Sequence, residues 1–246
     1  MMFYIIGVLF LLMLYMIIEA RRNRINVAKL RFKTLPKSFD GYRLFFISDV
    51  HRRLIPIVLL KKLRKKVDLM IIGGDLCEKG VSLARIEENI KHLTEIAPCI
   101  FVWGNNDEEV GVENLQRIFE KYGVLELSNS TTFIRAGQEQ VAIVGVDDIE
   151  SDRIAFDLPP RVFAILVCHF PEISEQLQSN HPFSLVLSGH THGGQIRFLG
   201  LGIAKKGQYI HTPQYVQLIS NGYGTTGIPM RLGAPAETHL IHLERE

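Results

Sequence analysis

Apolar residues open the chain as one unbroken block, then recur in short runs that end repeatedly in Asp, Asn or His. The block, residues 1–18, carries no charge. As a helix it would reach roughly 27 Å, close to the hydrocarbon thickness of a bilayer. Beyond it, apolar runs at 42–48, 67–73, 99–103, 162–168 and 185–187 predict strands. Residues 56–66, 81–96 and 113–122 have the spacing of amphipathic helices, and 133–134 with 141–146 that of a hairpin. Strand–helix units followed by hairpins predict an α/β domain with mixed, partly parallel sheets and helices outside.

Charge refines the first part of this picture. Arg21, Arg22 and Arg24 follow the apolar block directly, and no Lys or Arg precedes it. No small-x-small cleavage site follows it either, which argues for an uncleaved transmembrane anchor over residues 1–20 rather than a removed signal peptide. The positive-inside rule then predicts a single-pass protein whose catalytic part faces the cytoplasm. Residues 21–40 form a basic juxtamembrane linker, and alternation over 27–34 adds an edge strand to it. Residues 41–246 are left as one domain.

Cys77, Cys99 and Cys168 show no C-x-x-C spacing and read as buried thiols in a reducing compartment. A net charge of +2 and the lack of an aromatic stacking pattern give no reason to expect a nucleic-acid partner. No obligate protein partner is evident.

The chemistry sits where the apolar runs stop. Asp49 and His51 form D-V-H, Asp75 follows two glycines, and Asn105 lies in G-N-N-D. His169 lies in C-H-F, and His190 and His192 in G-H-T-H-G-G-Q. In an extended segment residues i and i+2 point the same way, so Asp49 and His51 are expected to converge on one ion and His190 and His192 to reach into one pocket. Sites of α/β sheets gather beyond the carboxyl ends of strands, which is where all seven residues fall. Oxygen and imidazole donors together suit a pair of borderline divalent ions, and so a two-metal hydrolase.

Arg52 and Arg53 follow His51 and are placed to attract an anionic substrate, with a solvated loop as the alternative. Arg231, in a Gly/Pro-rich loop, is a further candidate for phosphate contact. His211 is held in reserve as a pocket residue, while His92, His181, His239 and His242 read as ordinary. The G-x-G-x-x-G run from Gly222 to Gly227 lacks a following helix and reads as a loop at the active-site rim.

The ordered series D-V-H, G-D, G-N-N-D, H and G-H-T-H resembles the signature of the calcineurin-like metallophosphoesterase family. The apolar N-terminus, L-P-x-x-F-D-G and H-G-G-Q resemble its membrane-associated bacterial branch, typified by YaeI and YkuE. The resemblance implies a four-layer αββα sandwich that hydrolyses a phosphodiester, diphosphate or phosphomonoester through a metal-bridging hydroxide. It assigns one ion to Asp49, His51, Asp75 and His192, and a second to Asp75, Asn105, His169 and His190. Asp75 is thus implied as the bridging ligand, and manganese, iron or zinc as the metal.

Many relatives have His after the motif's first Asn, where it contacts phosphate and protonates the leaving group. Here that residue is Asn106, which can donate a hydrogen bond but cannot act as a general acid near neutral pH. Asp107 or a water is expected to substitute. The substitution favours a good leaving group, and the anchor favours a lipid-linked ester among the candidates. Two alternatives stay open: a metal-binding scaffold or sensor with weak turnover, and a nucleotide or nucleic-acid phosphodiesterase.

Overall fold

In the computed structural model, which describes residues 1–148, 158–178 and 180–246, the apolar runs form two six-stranded sheets. The first contains β1 (Ile25–Phe32), β2 (Arg43–Ile47), β3 (Leu69–Gly73), β4 (Cys99–Val102), β5 (Leu125–Leu127) and β12 (Thr238–Arg245), ordered β1-β12-β2-β3-β4-β5. The second contains β6 (Ser130–Ala136), β7 (Glu139–Val146), β8 (Phe163–Cys168), β9 (Phe183–Ser188), β10 (Gln208–His211) and β11 (Val216–Ile219), ordered β10-β11-β9-β8-β7-β6. Both sheets are mixed. β2 to β5 run parallel while β12 opposes β2, and β7, β8, β9 and β11 run parallel between the antiparallel edges β6 and β10.

Period-two alternation sorts the apolar side chains of these strands into layers. Leu44, Phe46, Ile71 and Val102 face the other sheet and meet Ile143, Ile165, Leu187 and Leu218 in the central core. Phe45, Ile47, Met70, Ile72 and Phe101 point the opposite way, onto α2 (Ile57–Lys61), α3 (Leu83–Thr94) and α4 (Val112–Tyr122). The outer face of the second sheet, with Ala142, Val144, Leu166 and Val186, is covered by Ile173 of the single-turn helix α5 (Ile173–Gln176). The order is helices, sheet, sheet, helix.

Helix α3 buries Ile86, Ile90 and Leu93 at helical spacing, and α4 stops at Gly123 in the left-handed region. Helix α2 is shorter than the 56–66 pattern suggests. Its continuation passes through Lys65 at φ 61°, which breaks the hydrogen-bond ladder before β3. Lys29 and Arg31 of β1 pair with Glu244 across the ladder to β12, so the basic stretch contributes an edge strand to the first sheet.

Helix α1 (Met2–Ala20) projects its first fourteen residues into solvent, with only Glu19 and Ala20 buried. Its C-terminal end is fastened to the domain. Met16 O accepts from the Arg231 backbone N–H at 3.0 Å. Arg53 donates to the carbonyls of Ala20, Arg21 and Arg22 and stacks 3.7 Å over the Tyr223 ring.

Leu187 is fully buried between the sheets. Replacing it with Ala is expected to lower unfolding free energy by about 2–5 kcal/mol, read as a fall in the denaturation midpoint.

Candidate metal centre

Strands β2, β3 and β4 are parallel neighbours, so the loops leaving their carboxyl ends lie side by side and lock through backbone hydrogen bonds. Asp49 N–H donates to Gly74 O, and Val50 and His51 N–H both donate to Asp75 O at 2.7 and 3.1 Å. From the other sheet, the loop after β9 is tied in by the His190 N–H, which donates to Asp49 Oδ1 at 3.0 Å. Asp107 clamps two of these loops from beneath. Its buried carboxylate accepts from Asp75 N (2.8 Å), Gly104 N (2.9 Å) and Cys77 N (3.0 Å). Gly104 is required by space, since a Cβ there would lie 2.3 Å from Asp75 N.

These loops are not extended. Asp49, His51, Asp75, His190 and His192 all have φ between 49° and 68°, the left-handed region that costs a non-glycine residue about 1–3 kcal/mol. The paired ligands therefore converge through turns, which corrects the extended-chain argument made from their i, i+2 spacing.

The seven predicted ligands come together. His51 Nε2 and His192 Nε2 approach to 3.0 Å, with Asp49 Oδ1 3.4 Å from the latter. Asp75 Oδ2 lies 3.3 Å from His169 Nε2 and 3.6 Å from His51 Nε2, between the two imidazoles. Asn105 Oδ1 is 3.1 Å from His190 Nδ1 at the exposed mouth, and the His190 ring stands 5.2 Å from that of His169. Two groups have ligand atoms close enough to share an ion: Asp49, His51 and His192, and Asp49, Asp75 and His169. Asp49 thus reaches both.

The donor set fits a divalent cation. Asp49 Oδ2 and His169 Nε2 are buried without a hydrogen-bond partner, an arrangement costly for polar atoms that have no ligand. His169 Nδ1 lies 2.9 Å from Gly73 O; a carbonyl only accepts, so Nδ1 carries the proton and Nε2 is left free to face a cation. His51 Nδ1 lies 2.9 Å from Glu78 Oε2, a charge contact on the side of the ring away from the cluster that its Nε2 faces.

Electrostatics agree with this assignment. Burial opposes ionisation of Asp75, but His169, His51 and the Asn106 N–H outweigh it and hold the carboxyl below its ordinary range. Burial also disfavours charging His169, and the neighbouring carboxylates of Asp75 and Asp49 reverse this and raise its pKa. Burial, with the charges of His51 and Arg231, pushes His192 down to about 4, leaving a neutral ring at neutral pH.

Other candidates take different places. The Asn106 amide donates to Asp75 Oδ2 at 2.6 Å and its backbone N–H to Asp75 Oδ1 at 2.9 Å. Asp107 is turned away, saturated by backbone donors, and is not positioned to replace a missing acid. Arg52 is paired with Glu78 and donates to Lys79 O.

Arg231 is fully buried and does not face the cleft, contrary to the phosphate contact expected of it. It reaches His192 Nδ1 at 3.1 Å and donates to the carbonyls of His192, Asn221, Gly224 and Ala234, a strut behind the ligand. His211 lies at the exposed end of β10. Cys77 is buried and its thiol is pushed up by burial and Asp107; burial likewise pushes Cys168 to about 12, so neither offers a thiolate near neutral pH.

Sequence reasoning did not find Glu78 or the use of the glycine run. Gly222 and Gly224 let the loop after β11 lie against Asp49 and Val50, where a Cβ would meet backbone or side chain at 2.3–2.6 Å. Tyr223 and Gly224 N–H then donate to Ser48 O and Asp49 O.

The profile of the family described as Calcineurin-like phosphoesterase matches residues 42–194, which span the whole ligand series. The chain belongs to this family. Metallophosphoesterases among its relatives include Phosphodiesterase YaeI of Escherichia coli (strain K12), 30% identical over 171 residues, covering 63% of this chain and 62% of that protein. The uncharacterized protein YpbG of Bacillus subtilis (strain 168) is 48% identical over 207 residues, 81% of this chain and 80% of that protein. A transmembrane protein with metallophosphoesterase domain from Danio rerio is 30% identical over 249 residues, 86% of this chain but 55% of that protein.

The structure of a putative 5'-nucleotidase from Staphylococcus aureus shares the fold at a TM-score of 0.56, with 12% identity, over 82% of this chain and 54% of that one. As a calcineurin-like phosphoesterase, the protein is a metal-dependent phosphoester hydrolase.

Two outcomes follow from the geometry. Asp107→Asn keeps every ligand but turns an amide toward a backbone donor, so metal affinity measured by competition with a chelating dye is expected to fall about 10–100-fold. If His169 holds the ion it must first lose its proton, and Asp75 raises its pKa, so affinity is expected to increase with pH through and above the ordinary histidine range. A titration flat from acid to alkaline pH would contradict that linkage.

Proposed function

We propose that this metallophosphoesterase works with two divalent ions on a phosphodiester or diphosphate, while anchored in the cytoplasmic membrane with its domain toward the cytoplasm. Convergence of all seven ligands on the rim where β2, β3, β4, β8 and β9 end carries the two-metal reading. Asp49, His51, Asp75 and His192 would hold one ion, and Asp75, Asn105, His169 and His190 the other. Bound ions of this kind polarise a phosphoryl oxygen and acidify the attacking water.

The chain's own residues supply orientation. Glu78 and the Gly73 carbonyl set two imidazoles, Asp107 sets the Asp75 loop, and Arg231 backs His192. Phosphate enters by the mouth formed by Asn105 and His190, where an open cleft of about 500 Å³ is lined by His190, Thr191, Ile203 and Lys205. Asn106, beside Asp75, offers an amide donor to a phosphoryl oxygen but no titrating proton. Leaving groups that depart without protonation suit such a site. Arg52, at the opposite side of His51, is a substrate contact only if it releases Glu78.

The anchor reading rests on α1, a 19-residue apolar helix of mean hydropathy 2.3 with its flank exposed, followed by Arg21, Arg22 and Arg24. The name of the Danio rerio relative points the same way.

Protein loaded with manganese, iron or zinc is expected to bind close to two equivalents by elemental analysis and to hydrolyse bis(4-nitrophenyl) phosphate; full turnover at one equivalent would overturn the two-metal reading. Asn106→His is expected to accelerate esters with poor leaving groups by up to about 10²–10⁴-fold and nitrophenyl esters far less. An equal gain on both would remove the role assigned to Asn106.

A further inference from the structure

The loop that follows the last metal-binding motif carries four large apolar residues to the surface: Phe198, Leu199, Leu201 and Ile203 are 72%, 86%, 78% and 96% exposed. Such clustering on a soluble surface marks an interaction site. The loop is also built. Phe198 and Leu201 exchange both backbone hydrogen bonds at 2.9 Å, closing a tight turn. Arg197 ties its base together, donating to the carbonyls of Gly193, Gly200 and Ala204. The closing backbone pair and the guanidinium are bonded within the loop while the apolar side chains are exposed.

Its position says what covers it. Arg197 N–H donates to Leu232 O, and the neighbouring residue Arg231 donates its backbone N–H to Met16 O of α1. The Gln195 amide donates to the carbonyls of Thr226 and Ile228, which brings in Ile228, itself 56% exposed. The apolar turn therefore stands beside the end of the apolar helix, joined to it through two hydrogen-bonded residues. Exposed Lys205, paired with Glu175, and Lys206 follow the turn, and Arg21 and Arg22, the latter paired with Glu19, follow the helix, so each apolar element has a basic residue at its flank that anionic headgroups attract.

We propose that residues 198–203 are a second membrane contact, dipping into the interfacial layer of the bilayer that α1 spans. This rests on the anchoring reading above. Ile203 and Lys205 also wall the cleft beside His190, so the contact would hold the mouth of the metal centre at headgroup level. A phosphoester carried on a lipid then reaches the ligands without leaving the membrane surface.

The test uses the full chain reconstituted into phosphatidylcholine–phosphatidylglycerol vesicles, with Leu201→Trp as reporter and Leu125→Trp, on the far edge strand β5, as control. The native Trp103 is only 6% exposed, and the parent protein supplies its background. Leu201→Trp is expected to emit at shorter wavelength and be quenched by phospholipids brominated on their acyl chains, with Leu125→Trp unaffected.

Water-like, unquenched emission from Leu201→Trp in protein that floats with the vesicles would overturn the proposal and leave the anchor intact. A blue shift without quenching would also overturn it, since another protein surface would then cover the turn. Protein that fails to float would remove the anchoring reading, and the proposal with it.

Discussion

Five of the candidate metal-binding residues, Asp49, His51, Asp75, His190 and His192, sit in left-handed backbone conformations that side chains other than glycine ordinarily avoid. Such conformations persist only where the surroundings over-determine them, and most of the interactions around the site serve that end. Asp75 O takes two N–H groups from the D-V-H loop, Asp107 takes three from the loops after β3 and β4, and Arg231 spends its guanidinium on carbonyls around His192. The sheets beneath hold the loop ends in register. Stability drawn from two apolar cores is thereby converted into fixed donor positions.

The charges brought together would be unfavourable without partners. Asp49 and Asp75 are buried with His51, His169 and His192, and isolated buried charges cost several kcal/mol each. Part of that cost is offset within the protein, because Asp75 faces two imidazoles and His169 is drawn toward its charged form. The remainder is visible as the unpartnered Asp49 Oδ2 and His169 Nε2, and a divalent cation is the ligand class that satisfies both at once.

The N-terminal apolar helix and the candidate metal centre share their fastenings. Arg53, two residues from His51, grips the end of α1, and Arg231 contacts Met16 through its backbone and His192 through its side chain. The N-terminal helix is thus continuous with the loops that shape the metal centre. Arg231 touches both the helix and His192, and Arg53 joins the helix end to Tyr223 of the glycine loop.

Much of this was legible in the chain itself. Apolar runs ending in Asp, Asn and His marked the strands that carry ligands, because a strand must bury its side chains and its end must not. The seven candidate ligands, which the fold gathers at one place, were picked out for the same reason, and the motif order identified the family. What sequence could not supply were relations between residues far apart along the chain: Glu78 behind His51, Arg231 behind His192, and Gly222 and Gly224 pressed against the D-V-H turn.

Arg231 looked like a phosphate contact because an arginine in a Gly/Pro-rich loop is usually exposed, and only packing revealed it as a buried strut. Local pattern follows from short-range backbone and burial preferences, so the chain by itself determined the strands that end in Asp, Asn or His, its apolar helix and its donor atoms, while β5, β10, β11 and β12 emerged only in the sheets. Which loops meet, which torsions they are forced into and which apolar turn is left facing outward beside α1 depend on long-range packing, and only the tertiary structure decided those.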